Sequence, residues 1–241
     1  RSRVESVDII GQSQLIRAAC CNLGESFTTN PSVDVSYSDA ATGARQIKLL
    51  GLSGTYVQML TENVPNLRGA SLPYSLGYVP GPWMQSIQVS KGASSVKNGY
   101  ESISGQINIE YLKPQATDGF RANAYLDTDL KQEVNLDGSI HLNDRLSTGT
   151  LLHFENRQTE HDGNGDSFMD MPKLRQYNLM HRWAYVSPGW ISQLSLRILR
   201  DERNGGQSAK HSSGMTEPLY TTSVETNRYE LQWKNGFTLD A

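Results

Sequence analysis

From residue 119 onward the chain alternates apolar and polar side chains with a period of two, in six consecutive runs of about ten residues. Phe120, Ala122, Ala124 and Leu126 oppose Arg121, Asn123, Tyr125 and Asp127, and Val134, Leu136, Ile140 and Leu142 oppose Asn135, Asp137, Ser139 and His141. Leu146, Thr148, Thr150, Leu152 and Phe154 share a face, as do Tyr177, Leu179, Trp183 and Tyr185. Trp190, Leu194, Leu196 and Ile198 oppose Gln193, Ser195 and Arg197, and Tyr229, Leu231 and Trp233 oppose Arg228, Glu230 and Gln232. Such a period belongs to strands, and short connections make them an antiparallel meander. The second face, rich in Arg, Glu, Gln and Asn, is too polar for a sandwich core and suits a wet lumen. Aromatic residues near the run ends on the apolar face are placed as interfacial girdles require.

Connections alternate in length. Asn143-Asp144 and Ser187-Pro188-Gly189 are tight, whereas 158–173 and 204–224 are long. The first connection, around Lys131, is also short and breaks the alternation.

The first half is different in kind, with short elements of α+β character. Residues 4–10 read as a strand. Residues 15–27 read as a short amphipathic helix, with Leu15, Ala19, Leu23 and Phe27 at helical spacing and Ser13 as a possible N-cap. Residues 33–37 and 46–50 read as strands around the Thr42-Gly43 turn, 51–55 as a loop, and 57–64 as a strand ended by Pro65. Between Pro65 and Trp83 Gly and Pro dominate and no periodicity is visible, which reads as irregular loop.

Composition narrows the classes. No run of about 18 apolar residues exists, so no transmembrane helix is predicted, although a β-barrel leaves no such signal. A net charge of −3 with mixed signs argues against nucleic acid as a partner. The N-terminus has no apolar stretch or cleavage site of a targeting peptide. The two cysteines, Cys20 and Cys21, are neighbours. Their Cα atoms lie about 3.8 Å apart, short of ordinary disulfide geometry, so they read as two small apolar residues on the helix.

Chemical motifs are few. Asp162, Asn164 and Asp166 occupy the first, third and fifth positions of a calcium-type loop and Asp170 the ninth, but Ser167 replaces the Gly and Lys173 the closing Glu. The expectation is at most a weak calcium site in the 162–170 loop, completed by other loops, against a merely solvated acidic loop. The five histidines show no metalloprotease spacing; His141 and His153 fall on the polar face and His211 lies in the second long loop. Gly51-Leu52-Ser53-Gly54 falls short of a nucleophile elbow and Gly92-Ala93-Ser94-Ser95 lacks the Lys-Ser/Thr of a phosphate loop, so no enzyme is expected.

Residues 86–111 carry the most specific wording. An alternating run with Ile87 and Val89 meets the Lys91-Gly92 turn, then small residues closed by Asn98-Gly99, then Gly105-Gln106-Ile107-Asn108-Ile109. This resembles the closing motif of the plug domain in TonB-dependent outer-membrane transporters. With it go Gln46-Ile47-Lys48-Leu49-Leu50-Gly51, and Gln58 to Pro65 in place of a strand ending in Asp-Gly-x-Pro. The wording at 30–35 and at Gly81-Pro82-Trp83-Met84 is similar to receptors of Bacteroidetes-type bacteria. Leu50 and Glu62-Asn63 depart from the family pattern, so contacts of those family residues are not carried over.

The resemblance implies a plug domain at 1–112, a linker at 113–118, and at 119–241 the first strands of a 22-stranded transmembrane β-barrel, truncated here to about six. It implies energy-coupled import of a scarce metal chelate or vitamin (a ferric siderophore or corrinoid) in the outer membrane of a Gram-negative bacterium, with TonB as partner. The TonB box is expected upstream of the chain, and open strand edges invite self-association. Ligand contacts are expected from Tyr74, Tyr78, Trp83 and His211, and plug–barrel polar contacts from Lys91 and Glu101. A non-transporting adhesin or β-rich binding module is the competing class, and it predicts a closed sandwich.

Overall fold

The computed structural model describes residues 7–17, 22–27, 30–92, 101–208 and 218–238. The chain divides into two compact units, Arg1–Asp39 with Ala44–Leu112, and Ala40–Gly43 with Lys113–Ala241. The 113–118 stretch read as a linker therefore groups with the second unit.

The first unit is built on two small sheets. One has β1 (Val7–Gly11), β7 (Met84–Lys91), β8 (Gly105–Tyr111), β5 (Val57–Thr61) and β6 (Val64–Pro65) in that spatial order. β5 runs parallel to β8 and the other pairs are antiparallel. A parallel pair is covered on both faces, and all five residues of β5 are buried. The second sheet is β2 (Val33–Asp39), β3 (Ala44–Leu49) and the two-residue β4 (Leu52–Ser53), which lies in the predicted 51–55 loop. Leu23, Leu49, Leu76, Ile87, Val89, Ile107 and Ile109 are fully buried. Each such side chain contributes about 1.5–3 kcal/mol.

The predicted helix over 15–27 is much shorter. Helix α1 covers Gln12–Arg17, and Glu25–Phe27 is a single 3-10 turn. Leu23, ahead of that turn, and Phe27, at its end, are core residues all the same, without helical continuity between them. Cys20 and Cys21 lie outside the described residues.

The predicted 57–64 strand breaks at Glu62-Asn63. Both residues have positive φ, 51° and 64°, the conformation of a tight hairpin turn joining β5 to β6. The Asn63 amide donates to Asn108 Oδ1 at 2.8 Å. Since Cβ disfavours this conformation, Asn63→Gly is expected to raise the unfolding free energy of the protein by roughly 0.5–1 kcal/mol. A chemical-denaturation midpoint that falls would contradict the turn assignment.

The 65–85 region is also more ordered than its composition suggests. It holds 3-10 turns at Gly69–Ser71 and Gly81–Trp83 and the short helix α2 (Leu72–Ser75) with a proline in its first turn.

The second unit is one six-stranded antiparallel sheet in sequence order: β9 (Gly119–Leu126), β10 (Gln132–His141), β11 (Leu146–Arg157), β12 (Lys173–Ser187), β13 (Trp190–Gly206) and β14 (Thr221–Phe237). All six predicted runs are strands. The register keeps the predicted faces together, with Leu152 opposite Leu179, Leu179 opposite Ile198, and Leu196 opposite Leu231. β12, β13 and β14 extend to 15, 17 and 17 residues. A tilted strand needs only about 9–11 to cross a bilayer.

Candidate functional site

The meander inverts the usual rule of burial. Its polar face is shielded, with Gln176 and Asp201 at 0% exposure, while Leu231, Trp233 and Phe237 on the apolar face are 68–70% exposed. In water that arrangement forfeits most of the hydrophobic gain of folding, so the apolar face requires a nonaqueous neighbour. Aromatic residues mark the limits of that face. Tyr185 packs tilted on Trp190, which stacks on Phe237, beside the tight turn after β12, and Phe154 packs on Tyr177 at 5.2 Å near the other end. Tyr177 and Tyr185 are eight positions apart on β12. That is about 26 Å along the strand and about 20 Å once tilted, on the scale of the ~25 Å apolar band of an outer-membrane barrel. No helix among the described residues is long and apolar enough to cross a membrane.

The polar face is an ion-paired ladder across neighbouring strands. Asp201 accepts from Arg203 Nε at 2.7 Å and from Gln176 Nε2 at 3.0 Å, and Arg197 Nε donates to Asn178 Oδ1 at 3.1 Å. Lys131 bridges Glu133 and Glu155 at 3.5 and 3.1 Å. Burying these charges is tolerable only because each finds a partner. A sandwich, as the adhesin reading requires, would bury the other face.

Beyond the apolar band the two long loops are joined. Phe168 and Gln207 form an antiparallel bridge, the Met169 amide donates to Gly206 O, and the Ser208 amide donates to Ser167 O, both at 2.8 Å. Glu160 ties the arrangement to both sides, accepting from Lys173 Nζ at 2.7 Å and from Ser208 Oγ at 3.0 Å. Phe168 packs on Tyr220 at 6.4 Å, yet the two remain 42% and 58% exposed. This aromatic pair was not among the expected ligand contacts. Its only signal in the sequence is that each residue is aromatic within a long loop.

In the acidic loop the carboxylates turn toward the chain's own amides. Asp162 accepts the N–H groups of Gly165, Asp166 and Ser167, Asp166 accepts that of Phe168, and Asp170 that of Gly163. Among the described residues no group of three or more His, Cys, Asp or Glu side chains is arranged around a cation. A calcium ion at Asp162, Asn164, Asp166 and Asp170 would have to displace those amides. The alternating spacing that suits a cation serves these Asx turns equally well.

The plug candidates separate by burial. Tyr78 and Trp83 are each 1% exposed, and Trp83 meets Tyr111 edge-on at 6.3 Å. They are core residues, buried along with Leu67, Leu76, Val79 and Met84 of the same stretch, and they do not form an open ligand surface. Tyr74, on α2, is half-buried and accessible. Lys91 and Glu101 have partners inside their own unit: Lys91 Nζ lies 2.9 Å from Asp8, and Arg68 Nε donates to Glu101 at 3.0 Å. His211 lies outside the described residues.

A small α+β unit followed by a meander with its apolar face outward defines the class: a plug and the adjoining strands of an outer-membrane barrel. Residues 1–106 of the chain match the model of the TonB-dependent Receptor Plug Domain. No curated protein matches its sequence. The solved structures it resembles include Pseudomonas aeruginosa FpvA bound to a heterologous ferric pyoverdine, with TM-score 0.73 and 13% identity over 99% of this chain and 32% of that one. The siderophore receptor PiuA of Acinetobacter baumannii matches with TM-score 0.67 and 15% identity over 83% and 27%. The copper transporter OprC matches with TM-score 0.63 and 16% identity over 77% and 28%. The chain therefore spans about a third of the length of these receptors, and at such identities the likeness establishes the fold.

Proposed function

We propose that this chain serves, in a Gram-negative outer membrane, the TonB-coupled import of a scarce nutrient, a metal chelate or free metal. The plug unit gates the barrel that the meander begins. The observation that carries this reading is the inverted sheet directly following a plug domain; likeness to siderophore and copper receptors supports the substrate class. Tyr74 and the Phe168–Tyr220 pair are accessible aromatic surfaces available to a ligand. Energised cells expressing the full receptor should accumulate a labelled ferric or copper complex and lose accumulation without TonB. Uptake indifferent to TonB would remove the import reading.

Under the same reading, loop order comes from the acidic loop's own amides, and calcium adds to it only by competing with them. Calorimetric titration of the receptor with calcium tests this. Heat that disappears in Asp162→Asn or Asp166→Asn would place the ion there, and identical null isotherms would dismiss it.

A further inference from the structure

We propose that the apolar face of β10–β13 seats one phosphorylated lipid, with an acyl chain in a groove across the strands and the phosphate held by Arg200 and Arg175. This rests on the reading of the meander as barrel wall and adds to it a particular seat for a lipid of stated chemistry. Strand register builds the seat in three rows. Leu136, Leu152, Leu179 and Ile198 pair in succession across the four strands and form the first row. Phe154, Tyr177 and Arg200 pair in the second, two residues nearer the long loops, and Arg175 opposite Glu202 belongs to the third. The first two rows line an open groove of about 320 Å³, within the range of volumes that hold small ligands. Leu152, Tyr177 and Ile198 stay exposed along it, so no side chain among the described residues fills it.

Charge arrives where a headgroup would lie. Phe154 and Tyr177 form the aromatic level that marks a membrane interface, and the long-loop end of such a barrel faces outward. Arg200 Nε donates to Glu202 Oε1 at 2.8 Å, and Nη2 lies 2.6 Å from that oxygen and 3.6 Å from Glu225 Oε1, which leaves Nη1 outside both pairs. Arg175 is exposed and has no hydrogen-bond or ion-pair partner among the described residues. The two arginines are diagonal neighbours on adjacent strands, a spacing of roughly 7–8 Å that long side chains bridge. Glu202 and Glu225 offset the two cations in sum, so selection rests on the unengaged donors and on the chain seat beside them. A phosphate takes charge-assisted bonds from two guanidinium groups there, in the manner of the basic clusters that recognise anionic headgroups.

The test is native mass spectrometry of the full receptor in detergent, with heat-modifiable gel migration reporting the folded barrel. Phosphatidic acid should be retained at one per receptor, and diacylglycerol of the same chains or inorganic phosphate alone should be held at least roughly tenfold more weakly. Arg200→Gln, which removes a donor, and Leu152→Trp, which fills the groove, should each weaken retention by about tenfold. Glu225→Gln should strengthen it, since it removes a carboxylate competing for Nη2. Equal retention of phosphatidic acid and diacylglycerol, or retention untouched by Arg200→Gln and Leu152→Trp, would mean an ordinary lipid annulus and overturn the proposal while the barrel reading stands. A folded receptor that retains no phosphatidic acid would overturn it in the same way. Loss of heat-modifiable migration in the unmodified receptor would instead remove the barrel reading, and the lipid seat with it.

Discussion

Leu231→Arg in the full receptor, refolded into lipid bilayers, is expected to lower its unfolding free energy by about 2–4 kcal/mol. Leu231 is 70% exposed and lies opposite Leu196 near the middle of the apolar band. On a water-soluble domain so exposed a position would tolerate arginine within about 0.5 kcal/mol. The two readings of the sheet thus differ by several-fold in one measurement, denaturant titration in liposomes. Gln232→Arg, on the opposite face, is the control, because a lumen-facing position accepts a polar head without leaving water. Equal effects at the two positions would mean that the apolar face does not meet lipid.

Gly105→Val should cost on the order of 3 kcal/mol through the plug sheet. Gly105 has φ +153°, and a Cβ there would stand 2.2 Å from Ser90 O and 2.6 Å from Leu49 Cδ2. The first of these neighbours is backbone in the adjacent strand, so no rotamer change relieves it. Gly105 pairs with Lys91 on β7 and with Val57 on β5, so the strain falls where three strands meet. Thermal unfolding of the receptor followed by a probe in the plug should shift down in the variant. An unaltered transition would show that β8 does not pack as described.

How much of this was legible before the structure depends on what each signal measures. Alternation along β9 to β14 is set by the strand's own geometry, so every predicted run became a strand and Leu196 met Leu231 as the pattern requires. The 65–85 stretch lacks periodicity because 3-10 turns and a four-residue helix are too short to repeat anything. Tyr78 and Trp83 show the limit clearly: an aromatic residue in a Gly/Pro-rich segment can face a ligand or fill a core, and only tertiary packing decided for the core. Leu23 and Phe27 fit a helix by spacing alone, yet both are buried although only Phe27 lies in the 3-10 turn. The buried ion pairs of Lys131 were hidden for a related reason, since Glu133 and Glu155 meet through a cross-strand register that sequence order does not display.

The bridge between Phe168 and Gln207 has a consequence for how this surface can vary. Segments more than thirty residues apart in sequence share backbone hydrogen bonds, so an insertion in either one displaces the other. Substitutions at 166–169 should be epistatic with those at 206–208, and their effects should fail to add, as contacting residues generally do. Diversity drawn into one loop alone would mostly sample broken pairs, and altered ligand choice is more readily reached by changing both segments together.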